Sequence, residues 1–180
     1  MPNLPSRLHH NAYVTNDLEA TRIFYEDVIG LPLSACWTET DHLFGKDRTY
    51  CHLFFDLADG SALAFFQFAD PEDQAQFGPE LPPSPFRHIA LNVDKETQAN
   101  IEASIKKANI QPPKTYVLEH GYCRSVYVED PSGMIVEFCN DDPRAADTAA
   151  ERRKNAHAEL KRWLNGDYTN NNHFRHEDAV

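Results

Sequence analysis

The stretch HGYCRSVYVEDPSGMIVEF, His120 to Phe138, decides how the chain is to be read. Ser125 to Val128 is β-branched and aromatic, Asp130-Pro131-Ser132-Gly133 is turn chemistry, and Met134 to Phe138 is a second extended run. That pattern predicts two strands joined by a tight turn. Glu137 sits in the middle of the second apolar run. A carboxylate placed there is expensive to bury alone, so it calls for a partner charge, a hydrogen bond or a metal.

Upstream of this hairpin, His88 to Val93 reads as a strand, Glu96 to Ala108 as a helix with Ile101 and Ile105 on one face, and Tyr116 to Leu118 as extended. Residues Gly78 to Pro85 (GPELPPSP) are proline-rich and predict a linker at 78–85. Before the linker the same order of elements is found. His9 to Thr15 is a strand. Asn16 or Asp17 caps a helix carrying Leu18, Ile23, Phe24 and Val28 and closed by Gly30. Two extended runs, Tyr50 to Leu57 and Ala62 to Phe68, flank the Asp59-Gly60 turn.

The two halves are therefore an internal repeat, and register tests it. Aligning Gly60 with Gly133, an offset of 73, maps Phe54 onto Tyr127 and Ala64 onto Glu137; the first strands align His10 with His88 at an offset of 78. Strand alternation puts Ile89, Leu91 and Val93 on a face suited to cover by the helix, and His88, Ala90 and Asn92 on the face that would line a cavity. By the same rule His9 faces away from His10. The predicted fold is α+β: two βαβββ modules, at 8–70 and 86–141, forming a curved mixed sheet around a metal cavity within a unit spanning 1–142. A C-terminal helix from Thr148 to Leu164 and a polar tail make up 143–180.

Bulk properties narrow the function. The chain has 180 residues, 41% of them hydrophobic, which suits a single domain or two small modules sharing one core. A net charge of -11 argues against nucleic acid or an anionic membrane as partner. No apolar run approaches the roughly 20 residues of a membrane span, and MPNLPSRLHH lacks the apolar core of a secretion signal, so the expected location is the cytoplasm. The four cysteines, Cys36, Cys51, Cys123 and Cys139, show no CxxC spacing and read as buried free thiols. Of nine histidines, His157, His173 and His176 fall in the tail region and read as solvated.

His10 and His88 at equivalent strand positions, with Glu137 on the last strand, form a candidate metal-ligand set. Two imidazoles and one carboxylate on one side of a cation leave about three positions open, the arrangement typical of non-haem Fe(II) sites. Ala64 occupies the position where a fourth ligand would stand. Gln67 is displaced by an odd number of residues and points to the opposite face.

With these residues in place, the chain resembles the vicinal-oxygen-chelate superfamily of glyoxalases, bleomycin-resistance proteins and extradiol dioxygenases. The markers are His10 ahead of Val14 to Leu18, Phe24-Tyr25, Ile29-Gly30-Leu31, His88 and Glu137. The run from His120 through Val126-Tyr127 and Asp130 to Gly133 to Glu137 is similar to the signature of type I extradiol ring-cleavage dioxygenases, here in a one-domain form. The resemblance implies Fe(II) as cofactor, a catechol-type substrate and O₂ as partners, and His10, His88 and Glu137 as ligands. It implies that Tyr127 binds the metal-bound substrate oxygen and that His120 stabilises charge at the cavity edge. The acid-base histidine of the larger enzymes would fall near Ser61; His52, on the face of Phe54, is the candidate replacement. Proteins of paired modules at this size often form homodimers. Two other readings of the same scaffold stand beside this one: a glyoxalase-like lyase or isomerase, which would want four protein ligands, and a drug-binding module.

Overall fold

The computed structural model describes residues 4–79, 81–82 and 84–172. Elements follow in the order β1 (His10–Val14), α1 (Leu18–Arg22, continuing as a π-helical segment Ile23–Ile29), β2 (Leu33–Leu43), β3 (Lys46–Asp56), β4 (Ala62–Phe68) and α2 (Pro71–Phe77). The second half runs β5 (His88–Asn92), α3 (Lys95–Lys107), β6 (Thr115–Glu119), β7 (Cys123–Glu129), β8 (Ile135–Asp141) and α4 (Ala145–Leu164). Each half forms a four-stranded mixed sheet, ordered β1-β4-β3-β2 and β5-β8-β7-β6, with one parallel pair at the β1 or β5 edge. The repeat holds residue by residue. His10 pairs with Ala62 as His88 pairs with Ile135, and Phe54 faces Ala64 as Tyr127 faces Glu137.

Local chemistry explains the element ends. Asp17 caps α1 by accepting from the Ala20 amide at 2.9 Å, and Gly30 closes it in the left-handed region at φ 91°. The extra residue per turn of the π segment rotates the face relative to simple helical spacing. Tyr25 is thereby fully buried, and Ile23, expected on the apolar side, is 43% exposed.

Three features differ from the expectations. The first module contains the additional long strand β2, which starts before the expected runs and pairs with β3 along its length. Its residues, LSACWTETDHL, are mostly exposed, so no apolar alternation marks it; backbone pairing holds it in place. Helix α2 lies just ahead of the proline-rich segment, started by Pro71 and capped by Asp70. The C-terminal helix begins at Ala145 and carries exposed Leu160, Trp163 and Leu164. Segment 78–85 forms no helix or strand among its described residues, with Glu80 and Pro83 lying outside them, as do His173 and His176.

The helix-facing sides of both sheets share one core. Phe24, Tyr25, Phe55 and Phe65 of the first half join Ile101, Ile105, Val126, Val136 and Phe138 of the second. Each such side chain contributes about 1.5–3 kcal/mol on leaving water. A buried polar tie crosses the same boundary. Tyr25 Oη donates to Asp130 Oδ2 at 2.9 Å, while Asp130 Oδ1 accepts from the Ser132 and Met134 amides at 2.8 and 2.9 Å. Burial raises the Asp130 carboxyl above the usual carboxylate range. The other face of each sheet is left for function. Among the described residues, no helix is long and apolar enough to cross a membrane.

Candidate metal and substrate site

On the open face of the second sheet, register stacks the candidate residues in rungs. Ala90, Glu137, Tyr127 and Tyr116 form one rung, with His88 and Ile135 before it and Asn92, Cys139, Ser125 and Leu118 after it. Glu137 is 6% exposed. Its Oε1 accepts from Ser125 Oγ at 2.5 Å, which turns Oε2 toward His88 Nε2 at 3.0 Å.

The His88 ring is oriented from behind. Its Nδ1 lies 3.0 Å from the Pro85 carbonyl oxygen, which can only accept, so Nδ1 carries the proton. In the neutral ring the Nε2 lone pair then faces a carboxylate oxygen. Two electron-pair donors at that separation ask for a proton or a cation between them. The spacing suits a metal: neighbouring N and O ligands at about 2.1 Å from one ion, at right angles, lie about 3.0 Å apart. A hydrogen-bonded carboxylate and an imidazole whose other nitrogen donates to a carbonyl are the usual support of such ligands.

Tyr127 adjoins this pair. Its ring stacks on Tyr116 at 4.7 Å and stands edge-on to His88 at 5.7 Å. His120 Nε2 lies 3.1 Å from Tyr127 Oη. The His120 amide donates to the Cys123 carbonyl at 2.9 Å, closing a turn through Gly121 at φ 81°, a backbone state that favours glycine. Burial first, and then the neighbouring Glu137 carboxylate, push the Tyr127 phenol well above its ordinary value, so it stays protonated.

The first sheet's open face is aromatic. His10 stands edge-on to Phe54 at 5.6 Å, and its Nδ1 is 2.7 Å from Nδ1 of His9, leaving its Nε2 without a hydrogen bond among the described residues. Trp37 stacks on Phe54 at 5.0 Å and 15°. His52 lies between Phe54 and Phe66, at 4.3 and 3.8 Å, with its Nε2 buried and unpartnered. Burial lowers its pKa and keeps it neutral.

The structure thus brings His88, Glu137, Tyr127 and His120 together, and sets His10 and His52 together on the other sheet. Within one chain His10 does not join the His88–Glu137 pair. Among the described residues, the only three histidine, cysteine or acidic side chains with donor atoms all within 4.8 Å are Cys123, Cys139 and Asp141. Sequence reasoning passed over Ser125, which sits two residues before Tyr127 on the same face, and the Pro85 carbonyl, three residues before His88. Trp37 was missed because its strand was missed.

A family model described as the Glyoxalase/Bleomycin resistance protein/Dioxygenase superfamily matches residues 7–138. The uncharacterized protein YwbC of Bacillus subtilis (strain 168) is 28% identical over 141 residues, covering 75% of this chain and 98% of that protein. The fosfomycin resistance protein FosX of Listeria monocytogenes shares the fold with a TM-score of 0.56 at 19% identity, covering 79% of this chain and 98% of that one; it has been crystallised with Mn(II) and sulfate. The lactoylglutathione lyase of Agrobacterium tumefaciens gives a TM-score of 0.50 at 23% identity, over 77% and 96% of the two chains. The register of the two modules and the match over most of its length place this chain in the glyoxalase/bleomycin resistance protein/dioxygenase superfamily.

Proposed function

We propose that this protein is a cytoplasmic Fe(II)-dependent extradiol dioxygenase that opens the ring of a catechol-type substrate with O₂. Its metal would be held by His88 and Glu137 of one chain and His10 of a second copy. The observation that carries this reading is the His120–Tyr127 pair beside the His88–Glu137 pair. A site needing only a Lewis acid has no call for a protonated phenol and an imidazole at the rim. A substrate with two adjacent hydroxyls does.

Bound Fe(II) would supply the Lewis acidity and one-electron chemistry that let a catecholate react with O₂. The protein's own residues do the rest. Ser125 holds Glu137 Oε1 so that Oε2 points outward, and Pro85 fixes the His88 tautomer. Tyr127, held protonated, donates to the substrate oxygen that has lost its proton; His120, with Nε2 3.1 Å from Tyr127 Oη, positions the phenol at the cavity edge. His52, neutral in its aromatic setting, is the acid-base group assigned to the first module. The Trp37–Phe54 stack offers a flat wall to an aromatic ring. The second copy enters because each chain carries two of the three ligands on one outward face and the third on the other, with the helix-facing sides already spent on the shared core.

Two assays test the reading. Anaerobic reconstitution with Fe(II), followed by a panel of catechols and O₂, should give a yellow ring-opened product. No product with any catechol, together with tight Zn(II) binding, would favour the lyase or isomerase reading instead. For the shared site, His10→Ala and Glu137→Ala proteins should each fail to hold iron. After unfolding and refolding together, mixed dimers should regain iron at one of their two sites. No recovery on mixing would refute the two-chain site.

A further inference from the structure

Over the next two rungs beyond Glu137, on the same open face, three donor groups meet that the reading above does not use. Cys123 on β7 lies opposite Asp141 on β8, and Cys139, two residues before Asp141 on β8, is diagonal to Cys123. The two sulfurs and a carboxylate oxygen are all within 4.8 Å of one another, with Cys139 Sγ 4.0 Å from Asp141 Oδ1. All three come from the middle or end of paired strands, which hold them more rigidly than loops would. Both cysteines are free thiols.

We propose that Cys123, Cys139 and Asp141 form a second metal site, separate from the His88–Glu137 pair, that takes a thiophilic divalent cation of the Zn(II) type. The chemistry follows from ligand softness: thiolates select such ions over Fe(II), Mg(II) or Mn(II), which suit the imidazole and carboxylate donors next door. The dimensions agree. Two thiolates bound tetrahedrally at about 2.3 Å from an ion lie about 3.8 Å apart, inside the spacing found here. Cys123 is 5% exposed, Cys139 half-buried and Asp141 exposed, so an ion can enter from the Asp141 side while its thiolates stay out of water. A fourth position remains for a solvent molecule or small ligand. Binding displaces two thiol protons, one from each cysteine, and no electron is transferred. Because the ligating form is the thiolate, binding tightens as pH rises.

The other cysteine pair serves as an internal contrast. Cys36 and Cys51 bring their sulfurs to 3.7 Å, but among the described residues no third histidine, cysteine or acidic donor completes a group there. The second site also lies close to the first. Cys123 Sγ is 3.7 Å from Ser125 Oγ, the hydroxyl that holds Glu137.

The test is a Co(II) titration of the reduced, full-length protein without oxygen, read by the near-ultraviolet charge-transfer band that only thiolate ligation produces. The band should saturate with a single Co(II) per chain and be reversed by Zn(II). It should persist in Glu137→Gln, disappear in Cys139→Ser, and yield to lower chelator concentrations in Asp141→Asn. Cys139 is the less buried thiol, so its replacement carries the test even if Cys123→Ser fails to fold. Absence of the band, its survival in Cys139→Ser, or its loss in Glu137→Gln would each overturn the proposal. Loss of ring cleavage alone would leave it standing, because the band does not depend on the His88–Glu137 pair.

Discussion

The open faces of the two sheets descend from one register and have opposite chemistry. At the rung where the second sheet sets Glu137 against Tyr127, the first sets Ala64 against Phe54. One position on, Ser125 of the second sheet corresponds to His52 of the first. The second face hydrogen-bonds its carboxylate; the first stacks rings over a fully buried alanine. The two modules share a backbone plan and differ in side chains: a carboxylate, a hydroxyl, a phenol and imidazoles on one wall, stacked rings with His10 and His52 on the other.

That contrast can be broken at its strongest point. Glu137→Ala should abolish iron retention, measured by metal analysis after desalting, while the far-ultraviolet circular dichroism stays native. Retained iron would contradict the assignment. Next in size, Tyr127→Phe and His120→Ala should each keep iron but lower kcat by about 10²-fold or more, as expected for a positioned proton donor and its partner. Equal loss of iron and activity in these variants would make them structural supports instead.

Transplanting the carboxylate sharpens the comparison. Ala64→Glu would set a charge beneath Phe54 without the serine that Glu137 enjoys. It should destabilise the fold by about 1–3 kcal/mol from overpacking alone, visible in a urea melt. A similar loss, about 1–3 kcal/mol, is expected for Tyr25→Phe, which leaves the buried Asp130 Oδ2 without its donor across the module boundary.

The smallest effect concerns pH. Burial holds the folded-state pKa of His52 below its ordinary 6.5. The unfolded chain therefore takes up the proton first, and stability present above about pH 6.5 declines as pH falls through the folded value. His52→Phe should remove that part of the slope, seen by comparing melting temperatures at neutral and mildly acidic pH. An unchanged slope would assign the titration to other groups.

Much of this was legible in the residues. The offsets that align His10 with His88 and Ala64 with Glu137 appear unchanged in the strand pairing, because side-chain alternation and turn chemistry are local. What escaped was held by non-local or unpatterned forces. Strand β2 owes its place to hydrogen bonds with β3, and its exposed side chains carry no periodic signal. The π segment shifted Ile23 outward, since its widened turn is not written in spacing. Asp130 read as a turn residue and proved also to be the acceptor that ties the two modules through Tyr25.

By itself the sequence determined the repeated module, the identity of the candidate ligands and the missing fourth one, all of which depend on residue type and period. Only the tertiary structure decided who stands beside whom. It paired His88 with Glu137, and it left His10 on the opposite sheet of the same chain. The physical reason is that the helix-facing sides of both sheets bury their apolar residues in one common core. How two amphipathic modules meet is settled by that packing, which no local pattern records.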